Sequence, residues 1–127
     1  MKGLMTPEAL ETMPNVAAWL RHSVAARQVV QRSYPELDSA AAARAASLEN
    51  VVIQIGHLRT HPSVAAAVAR GDVSLHGWFF DIGAGQVLGL DGESGRFVAL
   101  SEDKPLPVAL PAAPRLAAEF VYAEAAE

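Results

Sequence analysis

The sequence predicts an α/β protein in which helices pack on a small C-terminal sheet. Three observations carry this expectation. Leu48, Val51, Val52, Ile55 and Leu58 recur at three- and four-residue steps, the strongest helical periodicity in the chain. Val73 to Ile82 then puts apolar residues on both of its faces, the pattern of a strand covered on both sides. Between the two stand Pro62, which breaks a helix, and Gly71, a fitting left-handed stop. Only a hairpin follows to pair with the strand. A doubly covered strand wants neighbours on both edges, so some of the sheet is expected to be missing.

From the N-terminus, Thr6-Pro7-Glu8 reads as a helix start with Thr6 as cap and Pro7 in the first helical position. Met13-Pro14-Asn15 interrupts it. A helix is expected from about Val16 to about Arg32, with Val16, Leu20 and Val24 as its apolar stripe. Ser33-Tyr34-Pro35 ends it, because a residue before proline avoids helical angles. Asp38 or Ser39 caps the next helix. Ala40 to Ala46 is almost pure helix former, and the helix runs to the break at Thr60-His61-Pro62. A short helix over Ser63 to Arg70 leads to Gly71. After the Val73–Ile82 strand come the Gly83-Ala84-Gly85 turn, a strand over Gln86 to Leu90, the Asp91–Gly95 turn, and a short edge strand over Arg96 to Leu100. Pro105, Pro107, Pro111 and Pro114 mark an extended, poorly structured tail, with a terminal helical turn over Leu116 to Tyr122. The organisation is thus residues 1–104 as one unit and residues 105–127 as a proline-rich tail. Leu48, Val52, Ile55 and Leu58 are expected to pack on the strand around Leu75 and Phe79.

The bulk composition narrows the function classes. A chain of 127 residues is one domain at most and buries a core with little to spare. The net charge of −4 comes with no basic cluster, which excludes nucleic acid as the expected partner. No apolar run approaches the ~20 residues that cross a bilayer. Met1-Lys2 leads into a polar helix start without the apolar segment of a signal peptide, so a cytoplasmic location is the default. There is no cysteine, which excludes disulfides, thiolate zinc sites and cysteine nucleophiles in this chain.

Candidate sites are few. His57 and His61 stand at i, i+4, the spacing of a helical zinc pair, but no glutamate follows His57 and Pro62 frays the helix at His61. The plainer reading is two polar residues at a helix end. His76, in the strand beside Trp78, reads as a packed, hydrogen-bonded strand histidine. Gly83, Gly85 and Gly89 have the wrong spacing for a nucleotide loop and precede a strand, so they read as hairpin turn. Ser23 and Ser74 lack a histidine and aspartate set. Glu36, Asp38, Glu49, Asp72 and Asp81 are scattered at caps and turns. No catalytic, cofactor-binding or metal-ligating residue is therefore assigned.

One resemblance reaches further. Glu49-Asn50-Val51-Val52 through His57, then Leu58-Arg59-Thr60-His61-Pro62, then Gly71-Asp72-Val73-Ser74-Leu75-His76-Gly77-Trp78-Phe79-Phe80-Asp81-Ile82, resembles the C-terminal half of a β-class carbonic anhydrase. Ser94-Gly95-Arg96-Phe97 is similar too. The likeness runs from Met1 to about Leu100 and is specific over Glu49 to Ile82. It implies a partial fold whose central parallel strands lie upstream of Met1, together with the family's zinc ligands, two cysteines and a histidine with a nearby aspartate. No position here receives those ligands. In the complete family, zinc lowers the pKa of bound water and the hydroxide attacks carbon dioxide to give bicarbonate.

Three functions follow as expectations. The first is a truncated β-class carbonic anhydrase, inactive by itself and without a zinc of its own. The second is a non-catalytic association module that binds itself or a full-length relative. The third is a hydrolase of the same fold acting on another small carbon compound.

Overall fold

The computed structural model describes residues 2–103 and 105–110. Helices come first and a three-stranded antiparallel sheet last. The order is α1 (Lys2–Met5), a 3-10 turn (Pro7–Leu10), α2 (Pro14–Leu20), a 3-10 turn (Arg21–Ser23), α3 (Val24–Ser33), α4 (Ser39–Thr60), α5 (Pro62–Arg70), β1 (Trp78–Asp81), β2 (Gln86–Leu90) and β3 (Phe97–Ala99). The expected terminal turn over Leu116 to Tyr122 lies outside the described residues.

The helix expected from Val16 to Arg32 is two helices joined by a 3-10 turn. Ser23 stands at φ −109°, ψ 7° between them. Gln54 donates its side-chain N–H to the His22 carbonyl at 3.2 Å, which draws that carbonyl toward α4 and out of a regular helical ladder. The stripe shifts accordingly. Val16 is exposed, and the residues that α3 buries are Ala26 and Val30. The start at Thr6 differs as well: Thr6 makes no side-chain cap bond, and Pro7 opens a 3-10 turn.

The longest helix begins and ends as its sequence predicts. Asp38 caps α4, accepting the N–H groups of Ala40 and Ala41 at 2.9 and 2.8 Å. His61 leaves helical angles at ψ 122°, and Pro62 opens α5. Gly71 closes α5 at φ 80°, a region that side chains with a Cβ rarely enter. Its N–H and that of Asp72 both turn back onto the last turn of the helix.

Two small cores result. In the first, α3 meets α4 through Val30, Ala42 and Ala46, with Met5, Leu20, Leu37 and Ala45 around them. Alanine at the crossing lets the two helices approach closely. In the second, α4 sits on the sheet. A Cβ on Gly77 would lie 2.7 Å from the Ile55 side chain, 2.8 Å from Val51 and 3.3 Å from Leu90. Ile55 and Leu90 are both buried.

This contact corrects the expected face of α4. Ile55 packs on the sheet, but its companion is Val51. Val52 and Leu58 are 41% and 45% exposed. Leu48 and Val52 instead border an open depression with Val30, Tyr34, Leu37 and Phe97. The stretch Val51-Val52-Ile53 is apolar on adjoining faces, and Gly77 admits the side chains that point at it.

The strand is also shorter and less covered than expected. Regular pairing spans Trp78–Asp81 only, with Trp78 opposite Gly89, Phe79 opposite Leu88, Phe80 opposite Val87 and Asp81 opposite Gln86. β2 lies in the middle, and β3 pairs with it from Leu88–Ala99 to Leu90–Phe97. One face of β1 turns to α4. The other leaves Trp78 at 58%, Phe80 at 59% and, just beyond the strand, Ile82 at 84% exposure. Among the described residues that face is left largely exposed, so here the strand is well covered on one side, not two.

Residues 105–110 are fastened to the sheet where a poorly structured tail is expected. Gly92 donates to the Val108 carbonyl at 2.8 Å and Leu110 to the Leu75 carbonyl at 3.2 Å. Pro107 lies over Gly89, where a Cβ would come within 2.7 Å of it. Asp91 ties this segment to the β2–β3 turn. One carboxylate oxygen accepts the N–H and hydroxyl of Ser94 at 2.9 and 2.6 Å; the other accepts the Val108 N–H at 3.0 Å. The Ser94 hydroxyl first, then the Ser94 N–H, hold the Asp91 carboxyl below its ordinary value of 3.8.

Two outcomes follow from these contacts. Ile55→Ala costs about 2–5 kcal/mol, the range for emptying a buried site, whereas Leu58→Ala costs about 0.5 kcal/mol or less, as for exposed positions. Urea unfolding of both variants checks this, and equal losses refute the assigned face. Asp91 stabilises the fold when ionised, because its folded pKa lies below its unfolded one. That contribution is present above the unfolded value and is lost as pH falls through the lowered folded value. Asp91→Asn should therefore lower the urea midpoint at pH 7 and flatten the midpoint's fall between pH 5 and pH 3. An unchanged acid limb in the variant would refute the role.

Candidate functional site

The helix break that carries the two candidate histidines is built by Pro62. His57 sits in the last turn of α4, where its carbonyl accepts the Thr60 hydroxyl at 2.7 Å. His61 is the residue between the helices, with its N–H on the Leu58 carbonyl at 3.1 Å. Both are exposed. His61 has left helical geometry, so the i, i+4 spacing does not become a rigid pair on one helical face. His76 is exposed and precedes β1, so it is not the packed strand histidine that the sequence suggests. The regular strand begins two residues later.

The carboxylates are dispersed. Asp38 is a helix cap, and Asp72 pairs with Arg70 at 2.7 Å. Asp81 does more than the turn role its position predicts. One of its oxygens accepts the Ala84 N–H at 3.1 Å across the β1–β2 turn, and the other pairs with the Arg44 guanidinium. The same guanidinium lies 5.2 Å from the centre of the Phe79 ring. Arg44, Phe79 and Asp81 thus join α4 to β1 by charge and ring as well as by apolar packing. Sequence reasoning missed Arg44; the available signal was a lone arginine set within the alanine run of α4.

Ser23 is buried and Ser74 exposed, and neither lies in a described cluster with a histidine and a carboxylate. Gly85, at φ 61°, is a residue of the β1–β2 turn. Gly89 lies within β2 under Pro107.

The donor set does not fit the zinc centre that the family resemblance implies. The chain has no cysteine to supply thiolate. Among the described residues no three histidine or carboxylate side chains come together to hold a metal. The arrangement these residues do make is a scaffold: a long helix docked on a hairpin whose outer aromatic face is open.

Comparison with known proteins agrees with this architecture. Residues 1–87 match the carbonic anhydrase family. The chain is 41% identical over 102 residues to a carbonic anhydrase of Pseudomonas aeruginosa, covering 80% of this chain and 46% of that protein. It is 38% identical over 111 residues to carbonic anhydrase 1 of Escherichia coli O157:H7, covering 87% of this chain and 50% of that protein. Its fold superposes on the β-carbonic anhydrase CcaA with a TM-score of 0.75 at 35% identity, over 87% of this chain and 48% of that one. The chain spans about half the length of the curated relatives it matches. On the family match, the identities and the shared fold together, the chain belongs to the β class of the carbonic anhydrase family.

Proposed function

We propose that these 127 residues are the helix-and-hairpin portion of a β-class carbonic anhydrase, truncated with respect to the zinc-bearing part, and do not hydrate carbon dioxide by themselves. The activity of the whole enzyme is the zinc-dependent interconversion of carbon dioxide and bicarbonate. The observation that carries the reading is the absence of cysteine from a chain that otherwise follows the family over residues 1–87. Family chemistry needs a metal with an open coordination position. Without thiolates, and with His57 and His61 divided by a helix break, this chain offers no tight three-ligand set among its described residues. No described helix is long and apolar enough to cross a membrane, and the proposed setting is the cytoplasm.

A second reading is favoured by the exposed Trp78 and Phe80 on β1. Here the chain acts by association, with itself or with a full-length relative, because an apolar strand face beside an open edge recruits other chains.

The test of the first reading is direct. The purified chain is equilibrated with zinc, freed of excess metal, and assayed by metal analysis and by stopped-flow hydration of carbon dioxide. Zinc well below one per chain and no rate above buffer are expected. Stoichiometric zinc with hydration lost on His57→Ala and His61→Ala would overturn the proposal.

A further inference from the structure

We propose that the Asp91-Gly92 step is a site of isoaspartate formation, and that the strap made by residues 105–110 holds this reaction off. The inference stands on contacts between the strap and the β2–β3 turn and is independent of both readings of function above.

The step is labile by its residue types. The Gly92 main-chain nitrogen attacks Cγ of the Asp91 side chain. The nitrogen gives up its proton, the carboxyl loses an oxygen as water, and a succinimide ring closes. Water then opens the ring at either carbonyl. One opening returns aspartate; the other leaves the main chain routed through the side chain, as isoaspartate. Water is the only co-reactant. A side chain on the following residue shields the attacking nitrogen, and glycine has none. Of the five aspartates in the chain, the other four precede Ser39, Val73, Ile82 and Lys104, and both asparagines precede valine.

The fold engages each atom that the reaction uses. The Gly92 N–H, the nucleophile, donates to the Val108 carbonyl at 2.8 Å. One oxygen of the Asp91 carboxylate is held by Ser94, and the other accepts the Val108 N–H at 3.0 Å. These bonds favour the ionised form, from which water leaves less readily. The main chain between the two groups is pinned as well. The Asp91 N–H donates to the Arg96 carbonyl and the Asp91 carbonyl accepts the Gly95 N–H, both at 2.9 Å. The strap passes so close that a Cβ on Gly92 would run into the Ala109 carbonyl. The same missing side chain thus admits the strap and makes the bond labile. Ring closure then proceeds from the state in which the strap has lifted, at a rate set by the population of that state. Isoaspartate adds a methylene to the main chain and draws the carboxylate off Ser94 and Val108, so a strap that has lifted and isomerised does not fasten again.

The experiment follows isoaspartate by electron-transfer fragmentation of proteolytic peptides while the 127-residue chain stands for weeks at pH 7, in buffer and in unfolding urea. Amide hydrogen exchange at Gly92 and Leu110 reports the strap, and exchange at Ile55 reports the rest of the fold. Val108→Pro removes one donor to Asp91 and Ser94→Ala another; neither changes the Asp-Gly pair. Isoaspartate is expected first at Asp91, at least about tenfold more slowly in buffer than in urea. Each variant should speed it in buffer by about tenfold, the effect of losing one hydrogen bond to a charged group, with Ile55 still protected. The isomerised chain, separated by chromatography, should have lost protection at Gly92 and Leu110. Equal rates in buffer and urea overturn the proposal, as does earlier isoaspartate at another aspartate in buffer. Variants that free Gly92 to exchange without faster isomerisation overturn it too. Variants that leave Gly92 fully protected overturn the part given to Asp91 in holding the strap.

Discussion

The structure depends on the close approach of α4 to the sheet at Gly77. With no Cβ at that position, Ile55 and Val51 reach the strand backbone, and Leu90 closes the site from β2. Any side chain there would displace three neighbours at once, and overpacking of this kind costs about 1–3 kcal/mol. The rest is arranged around this contact. Arg44, some three turns earlier on the same helix, meets Asp81 and Phe79 farther along the strand. α3 and its alanine contacts build on the first half of α4. The hairpin is held in place by the same helix that holds α3, which gives two cores one shared element.

The ends of elements were readable because they are written in local chemistry. Asp38 satisfies orphan N–H groups, Pro62 cannot continue a helix, and Gly71 accepts a positive φ. The orientation of α4 was not readable. Val51, Val52 and Ile53 are consecutive and all apolar, so periodicity bounds the buried face without fixing its centre, and the deciding feature is a glycine more than twenty residues downstream. The break before α3 was equally hidden, since its cause is a Gln54 side chain reaching the His22 carbonyl from another helix. The fastening of Pro107 and Val108 is a third case: proline signals extended backbone, but Asp91 decides where that backbone lies.

For the candidate site, composition was more informative than spacing. The absence of cysteine already ruled out thiolate zinc binding in this chain, and the geometry around His57 and His61 gives those residues the helix-end placement that their neighbours suggest. The misjudged residues were His76, Trp78 and Phe80. An apolar run on both faces of a strand specifies what the strand could be covered by; it does not specify that the cover is present.

The helix–helix crossing built from Ala42 and Ala46 has a thermal consequence. Among the described residues Val30 is the largest side chain that is fully buried, and most of its buried companions are alanines. Alanine removes little apolar surface from water, and the heat capacity increment of unfolding scales with the apolar surface exposed. A core of this kind gives a shallow stability curve and a small enthalpy at the midpoint. The chain should then lose structure over a wide span of temperature, with no sharp melting point to separate the folded state from the unfolded one.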